Sequence, residues 1–77
     1  MAKELEKENR KRIGEALRKI REEQGWDTEQ VGLMAGVKAA TVEKVEQGAF
    51  NVPMDVLTVI ASCLGYVIAF EPKAVEE

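Results

Sequence analysis

Two short apolar runs separated by one glycine constrain the fold of this chain more than any other feature of its sequence. Between Thr28 and Gln47, apolar residues recur at the spacing of one helical face on either side of Gly36. These residues are Val31, Ala35, Val37, Val42 and Val45. Two helices can share a core across so short a turn when the turn residue tolerates positive φ and small residues allow close approach. The pattern therefore predicts a helix-turn-helix.

The size and composition of the chain favour one small helical domain. It has 77 residues, of which 45% are hydrophobic and few are aromatic, and this suits a compact all-α core. With one cysteine, no histidine and no secretory signal, we expect no disulfide, no metal or other cofactor, and a cytoplasmic protein. The longest apolar stretch, 56–70, is shorter than the roughly 20 residues that cross a membrane, so we expect no membrane partner.

The sequence contains no candidate catalytic residues. Because histidine is absent, the serine and threonine residues have no evident general base. No glycine-rich phosphate loop is present either. We therefore expect a protein that is not an enzyme.

Positive charge is concentrated toward the N-terminus, although the net charge of the chain is −3. Residues 1–25 carry a net charge of +2, residues 26–52 carry −2 and residues 53–77 carry −3. The asymmetry is modest compared with the basic patch of a strong DNA-binding protein.

Residues 1–11 form a charged extension in which Leu5 is the one large apolar residue after Met1. Glu6 and Arg10 lie four residues apart, a spacing that supports a solvated helix by a few tenths of a kcal/mol. A frayed helical extension is the favoured interpretation of this segment. An arm that contacts phosphate groups is the alternative.

Helices 1 and 2 have recognisable ends. The apolar stripe of helix 1 comprises Ile13, Ala16, Leu17 and Ile20, and the helix is predicted to end at Gly25. Asp27 is predicted to cap helix 2, with Gln30 completing a capping box. We expect Trp26 to pack between the two helices, with base stacking as the alternative.

Helices 3 and 4 follow after short turns. Helix 3 is predicted from about Lys38 to Gln47, with Gly48 after it, and Lys38 is a poor cap because it offers no oxygen to the free N–H groups. Helix 4 is predicted to start with Pro53 at its first position and to end at Gly65. Its apolar face comprises Val56, Leu57, Ile60, Ala61 and Leu64.

Residues 66–72 predict a short β-strand. The segment begins with the β-prone series Tyr66, Val67, Ile68, Ala69 and Phe70 and then reaches a proline. A lone strand is unstable in water, and no other segment has a strand pattern. Pairing with the same strand of a second copy is the simplest solution, which predicts a homodimer. Residues 73–77 are predicted to be a frayed tail.

From Ile13 to Phe70 the chain resembles the helix-turn-helix domains of phage Cro and repressor type, the xenobiotic-response-element family. The resemblance rests on Ile-Gly-Glu-Ala-Leu-Arg-Lys-Ile-Arg at 13–21, Gly25, the helix-turn-helix, Val45-Glu46-Gln47-Gly48, and Pro53 leading into Ala61-Ser62-Cys63-Leu64-Gly65. The order and spacing of these motifs are specific together. The implied fold is a lambda-repressor-like bundle of four helices over residues 12–65. The strand that follows is similar to the antitoxin-like branch, where it joins two protomers above the DNA-binding helices.

The resemblance implies that helix 3 lies in the major groove and contacts base edges. It also implies an ion pair between Arg21 and Glu46, in which the arginine faces a backbone phosphate as well. Two unrelated surface charges are the alternative interpretation of this pair. The residues implied to contact DNA are Arg21, Thr28, Lys38, Ala39, Ala40, Thr41, Glu43, Lys44, Gln47 and Asn51.

Two departures from the family pattern weaken the expected DNA contacts. The loop 48–52 has no Lys or Arg where family members often carry basic residues, and Asn51 is its one good polar donor. Gly32 replaces the usual alanine, which costs up to about 1 kcal/mol in helix propensity.

The sequence therefore predicts a transcriptional repressor that binds a palindromic site in double-stranded DNA as a homodimer. The antitoxin-like resemblance leaves open a cognate toxin as a protein partner. No small-molecule ligand is expected, because the chain has no separate effector domain. A protein-interaction module on the same fold, without significant DNA binding, is the alternative, which the acidic C-terminal half and the loop 48–52 favour.

Overall fold

The computed structural model describes residues 2–49 and 51–69, and this part of the chain contains four α-helices and no β-strand. The helices are α1 (Ala2–Glu23), α2 (Thr28–Ala35), α3 (Ala39–Glu46) and α4 (Met54–Cys63). The predicted all-α fold is confirmed, and α2 and α3 form the helix-turn-helix. None of the helices described is long and apolar enough to cross a membrane.

Both ends of α2 are fixed by local sequence. The Gln30 N–H donates to Asp27 Oδ1 at 2.7 Å, and the Asp27 N–H donates to Gln30 Oε1 at 2.9 Å. This reciprocal capping box satisfies two N–H groups that a helix start would otherwise leave free. Gly36 ends the helix with φ 74° and donates its N–H to the Gly32 carbonyl. The tight turn therefore depends on a backbone conformation that glycine adopts without strain.

The core lies between the four helices, and α2 packs against both α3 and α4 while α1 packs against α3. Its buried members are Leu17, Val31, Val42, Val45, Leu57, Ile60, Ala61 and Leu64. Ala16, which the predicted stripe of helix 1 includes, is exposed. Trp26 is not buried either: it is 37% exposed, and its indole N–H donates to Gln24 Oε1 at 3.1 Å. The indole is therefore only partly covered, and its packing between helices 1 and 2 stays a prediction.

Two helical glycines mark places where backbones touch. A Cβ on Gly14 would overlap the Val45 carbonyl oxygen and lie 2.7 Å from the Glu46 carbonyl oxygen. A Cβ on Gly32 would lie 2.8 Å from the Val37 carbonyl oxygen. Gly32 therefore allows the backbones to approach closely at this turn. The sequence comparison, which noted only that glycine replaces the usual alanine, does not predict this role.

The ends of the domain differ from the sequence prediction. Residues 2–11 continue α1 without a break, so the charged extension and the domain share one helix. Pro53 is the N-cap of α4, with φ −60°, so the helix begins at Met54, one residue later than predicted. After α4, the Tyr66 N–H donates to the Ala61 carbonyl at 2.9 Å. Residues 66–69 form no strand within the single chain, and Phe70 lies outside the described residues.

Substitution of Gly14 by alanine is expected to lower the free energy of unfolding by about 2 kcal/mol, because the added methyl group overpacks the α1–α3 contact. Helix propensity alone would have the opposite effect, stabilising α1 by up to about 1 kcal/mol. Urea denaturation measures the difference. The control is Ala16→Gly at an exposed position of the same helix. A Gly14→Ala protein more stable than the wild type would show that α1 does not contact α3 closely.

Candidate nucleic-acid interface

The helix α3 has one face in the core and one face in solvent. Val42 and Val45 are each 1% exposed and anchor the inner face. The outer face carries polar and small residues. Lys38, Ala40, Glu43, Lys44 and Gln47 are exposed, whereas Ala39 and Thr41 are half-buried. The apolar spacing thus holds α3 in a fixed rotation about its axis and directs its polar residues outward.

Arg21 and Glu46 form a bidentate ion pair between α1 and the end of α3. The Arg21 Nε–H donates to Glu46 Oε2 at 2.6 Å, and Nη2 donates to Glu46 Oε1 at 3.0 Å. The side chains are 12% and 8% exposed, respectively. Paired N–H groups matched to both carboxylate oxygens in a partly desolvated place make a strong and directional contact. This geometry differs from that of two unrelated surface charges.

Arg21 also contacts the turn that precedes α2. Its Nη1 donates to the Trp26 carbonyl at 2.7 Å, so three of the five guanidinium N–H groups donate to described atoms. The hydrogen bond with Glu46 raises the pKa of Arg21, and its charge is therefore retained. One side chain joins α1, the α1–α2 turn and α3.

An open cavity of about 220 Å³ lies beside this pair, between α1 and the two helices of the motif. It is lined by Arg18, Arg21, Thr28, Glu43, Glu46 and Gln47. The Thr28 hydroxyl donates to Glu43 Oε2 at 3.1 Å across the motif. Four of these residues were predicted from the sequence to contact DNA. Glu46 was predicted as the carboxylate that pairs with Arg21. Arg18 was missed, although its position three residues before Arg21 places it on the same side of α1.

A second open cavity, of about 360 Å³, lies at the other side of α3. Its lining includes three residues predicted to contact DNA: Thr41, Lys44 and Asn51. Ala49 and Val52 complete it. The ammonium, hydroxyl and amide groups here are all able to donate to a phosphate oxygen. Seven of the ten residues predicted to contact DNA are therefore divided between two concave surfaces on the two flanks of α3, whereas Lys38, Ala39 and Ala40 line neither.

The start of α3 lacks a side-chain cap in the described structure. Lys38 occupies the N-cap position with φ −76° and ψ 151°, and its side chain makes no capping hydrogen bond. The first N–H groups of a helix have no partner within the helix. The predicted poor cap is confirmed, and it lies in the half of α3 that was predicted to contact base edges.

The comparison with known proteins assigns this arrangement to a family. The model of a family described as "Helix-turn-helix domain" matches residues 12–66, which include the C-terminal half of α1 and all of the other helices described. The chain belongs to this helix-turn-helix domain family. No curated protein and no solved structure is significantly similar to it.

The Arg21–Glu46 pair is expected to contribute far more to stability than an exposed pair of the same residue types. Each single alanine substitution should lower the free energy of unfolding by about 3 kcal/mol, because a partly buried charge is left without its partner. A double-mutant cycle should give a coupling energy above roughly 1.5 kcal/mol.

Arg18 and Glu22 provide the matched control, since their contact is 3.1 Å long but the side chains are 62% and 53% exposed. Their coupling energy should be about 0.3–0.5 kcal/mol. Equal coupling energies for the two pairs would contradict the structural role given to Arg21 and Glu46.

Proposed function

We propose that this protein is a sequence-specific DNA-binding transcriptional repressor that binds a palindromic operator as a homodimer. The observation that carries the proposal is the rigid presentation of α3. Its inner valines are buried, its C-terminal Glu46 is held by Arg21, and its outer face is open to solvent. An α-helix held in this way fits the major groove of B-DNA.

The outer residues of α3 make different kinds of contact with DNA in this proposal. Lys38 and Lys44 donate to guanine O6 and N7 or to phosphates, and Ala39 and Ala40 pack on thymine methyl groups. Thr41 meets phosphate. Because Lys44 lines the same cavity as Asn51, a phosphate there would be contacted from two elements at once. Arg21 and Thr28 contact the backbone on the opposite flank of α3.

Homodimer formation through residues 66–70 completes the proposal. Tyr66, Val67 and Ile68 are apolar or amphipathic, and Val67 is 86% exposed in the single chain. Such residues become buried when two copies pair their strands. A symmetric dimer would place two copies of α3 about 34 Å apart, in successive major grooves.

A protein-interaction module is the second candidate function, and a cognate toxin would be one such partner. Leu33 and Met34 favour it, since both are exposed on α2 and Leu33 is 86% exposed. Their apolar surface lies on the motif itself. A folded protein that enriches no DNA would favour this candidate over the first.

Selection from a random duplex library at low salt is expected to enrich an inverted repeat that is bound by two chains. Lys44→Glu should then abolish binding without a decrease in stability, because it places a negative charge against the DNA. Lys19→Glu is the matched control: it makes the same change of charge at an exposed position of α1. Equally weakened binding in both variants would indicate an effect of net charge and would contradict a direct role for α3.

Deletion of residues 66–77 is expected to convert a dimer into a folded monomer, because it removes the strand proposed to pair the two copies. Sedimentation equilibrium measures the mass of each form. Deletion of residues 73–77 is the control and should leave the dimer intact. If the longer deletion leaves the mass of a dimer, the interface lies elsewhere.

A further inference from the structure

The helix α1 carries a row of cations along one side. Lys3, Lys7, Lys11 and Arg18 are exposed, and they share a single side of the helix with Gly14 and Arg21. The steps from Lys3 to Arg21 are four, four, three, four and three residues, the spacing of one helical face. We call Lys3, Lys7, Lys11 and Arg18 the cationic flank.

Acidic residues of α1 lie off this row. Glu4, Glu8, Glu15 and Glu22 each follow a position of the row by one residue. One residue corresponds to about 100° of rotation, so these carboxylates border the row on one side and leave its other positions to Lys, Arg and Gly14.

Contacts with α3 fix the direction in which the cationic flank lies. Gly14, in the middle of the row, touches the Val45 and Glu46 backbone, as its missing Cβ shows. Further along, a Cβ on Gly48 would lie 2.8 Å from the Lys11 Cα. Arg18 lines the cavity that also contains Thr28 and Glu43. The flank is thus continuous with the proposed DNA-contacting surface and extends it past the end of α3.

The cationic flank lies beside a part of the proposed DNA-contacting surface that has no basic residues. The loop 48–52, which begins where Gly48 touches Lys11, contains no Lys or Arg. The carboxylate that pairs with a cation of the flank is a weak competitor with a phosphate group for that cation. Arg18 pairs with Glu22 at 3.1 Å, and both side chains are largely exposed. An exposed pair of this kind is worth less than about 1 kcal/mol, so exchange for a phosphate is inexpensive.

We propose that the cationic flank of α1 binds the phosphate backbone of duplex DNA beside the helix-turn-helix, and that it replaces the basic contacts which loop 48–52 lacks. The proposal rests on the proposed DNA-binding function. It assigns to the four residues of the flank a sequence-independent role: they strengthen binding without contacting base edges.

The test uses the full chain and the operator duplex selected from the random library, extended by unrelated sequence on both sides. Lys7→Gln/Lys11→Gln removes two charges from the flank. Arg12→Gln/Lys19→Gln removes two charges from exposed positions of the same helix outside the row. Both variants have the same net charge, and glutamine retains helix propensity. Circular dichroism and urea denaturation establish that both are folded.

The flank variant is expected to bind roughly ten- to thirtyfold more weakly than wild type at physiological salt. The slope of log K against log salt should become shallower by about 0.9 for each phosphate that the variant no longer neutralises. Preference for the operator over a scrambled duplex should be unchanged. The control variant should stay within about threefold of wild type.

Two different failures can be told apart. If the wild-type protein binds the duplex and both variants weaken equally, only net charge matters and the flank proposal is overturned. If the folded wild-type protein binds no DNA, the proposed function itself fails, and the flank proposal fails with it.

Discussion

The geometry of the motif depends on the hydrogen-bonded ion pair between Arg21 and Glu46. Apolar packing of Val42 and Val45 supplies the larger share of the energy, but it is not directional and leaves small rotations open. The bidentate pair is directional. The same end of α3 is held from a second side, where its backbone touches Gly14 of α1. The C-terminal end of α3 is therefore fixed twice, whereas its start, at Lys38, has no side-chain cap.

Local features of the sequence were sufficient to predict the helix-turn-helix. Contacts between distant parts of the chain could not be predicted in this way. The Asp27 and Gln30 capping box and the turn at Gly36 involve residues a few positions apart, so their chemistry is visible in the sequence. The exposure of Trp26 depends on how the chain leaves α1, where the Arg21 guanidinium holds the Trp26 carbonyl. The role of Gly14 depends on the approach of a helix more than twenty residues later in the chain. No local sequence pattern predicts either the exposure of Trp26 or the close contact at Gly14.

The candidate site was also predictable only where its features are local to one helix. The outer residues of α3 could be named in advance, because buried valines determine which face is exposed. Their grouping could not. Thr28 bonds to Glu43 on one flank, whereas Lys44 shares a cavity with Asn51 on the other. Arg18 belongs to the site only because α1 borders the first cavity. Helical periodicity gives the face of one element, but neighbours from other elements depend on the packing of all of them.

The row of cations on α1 has a consequence for the rate at which this protein would meet a polyanion such as DNA. A chain of net charge −3 is repelled by a distant polyanion when only its total charge is felt. Within a Debye length, about 8 Å at physiological ionic strength, the local arrangement of charge dominates. Lys3, Lys7, Lys11 and Arg18 place positive charge along one side of α1. This local charge favours approaches in which the cationic flank faces the polyanion.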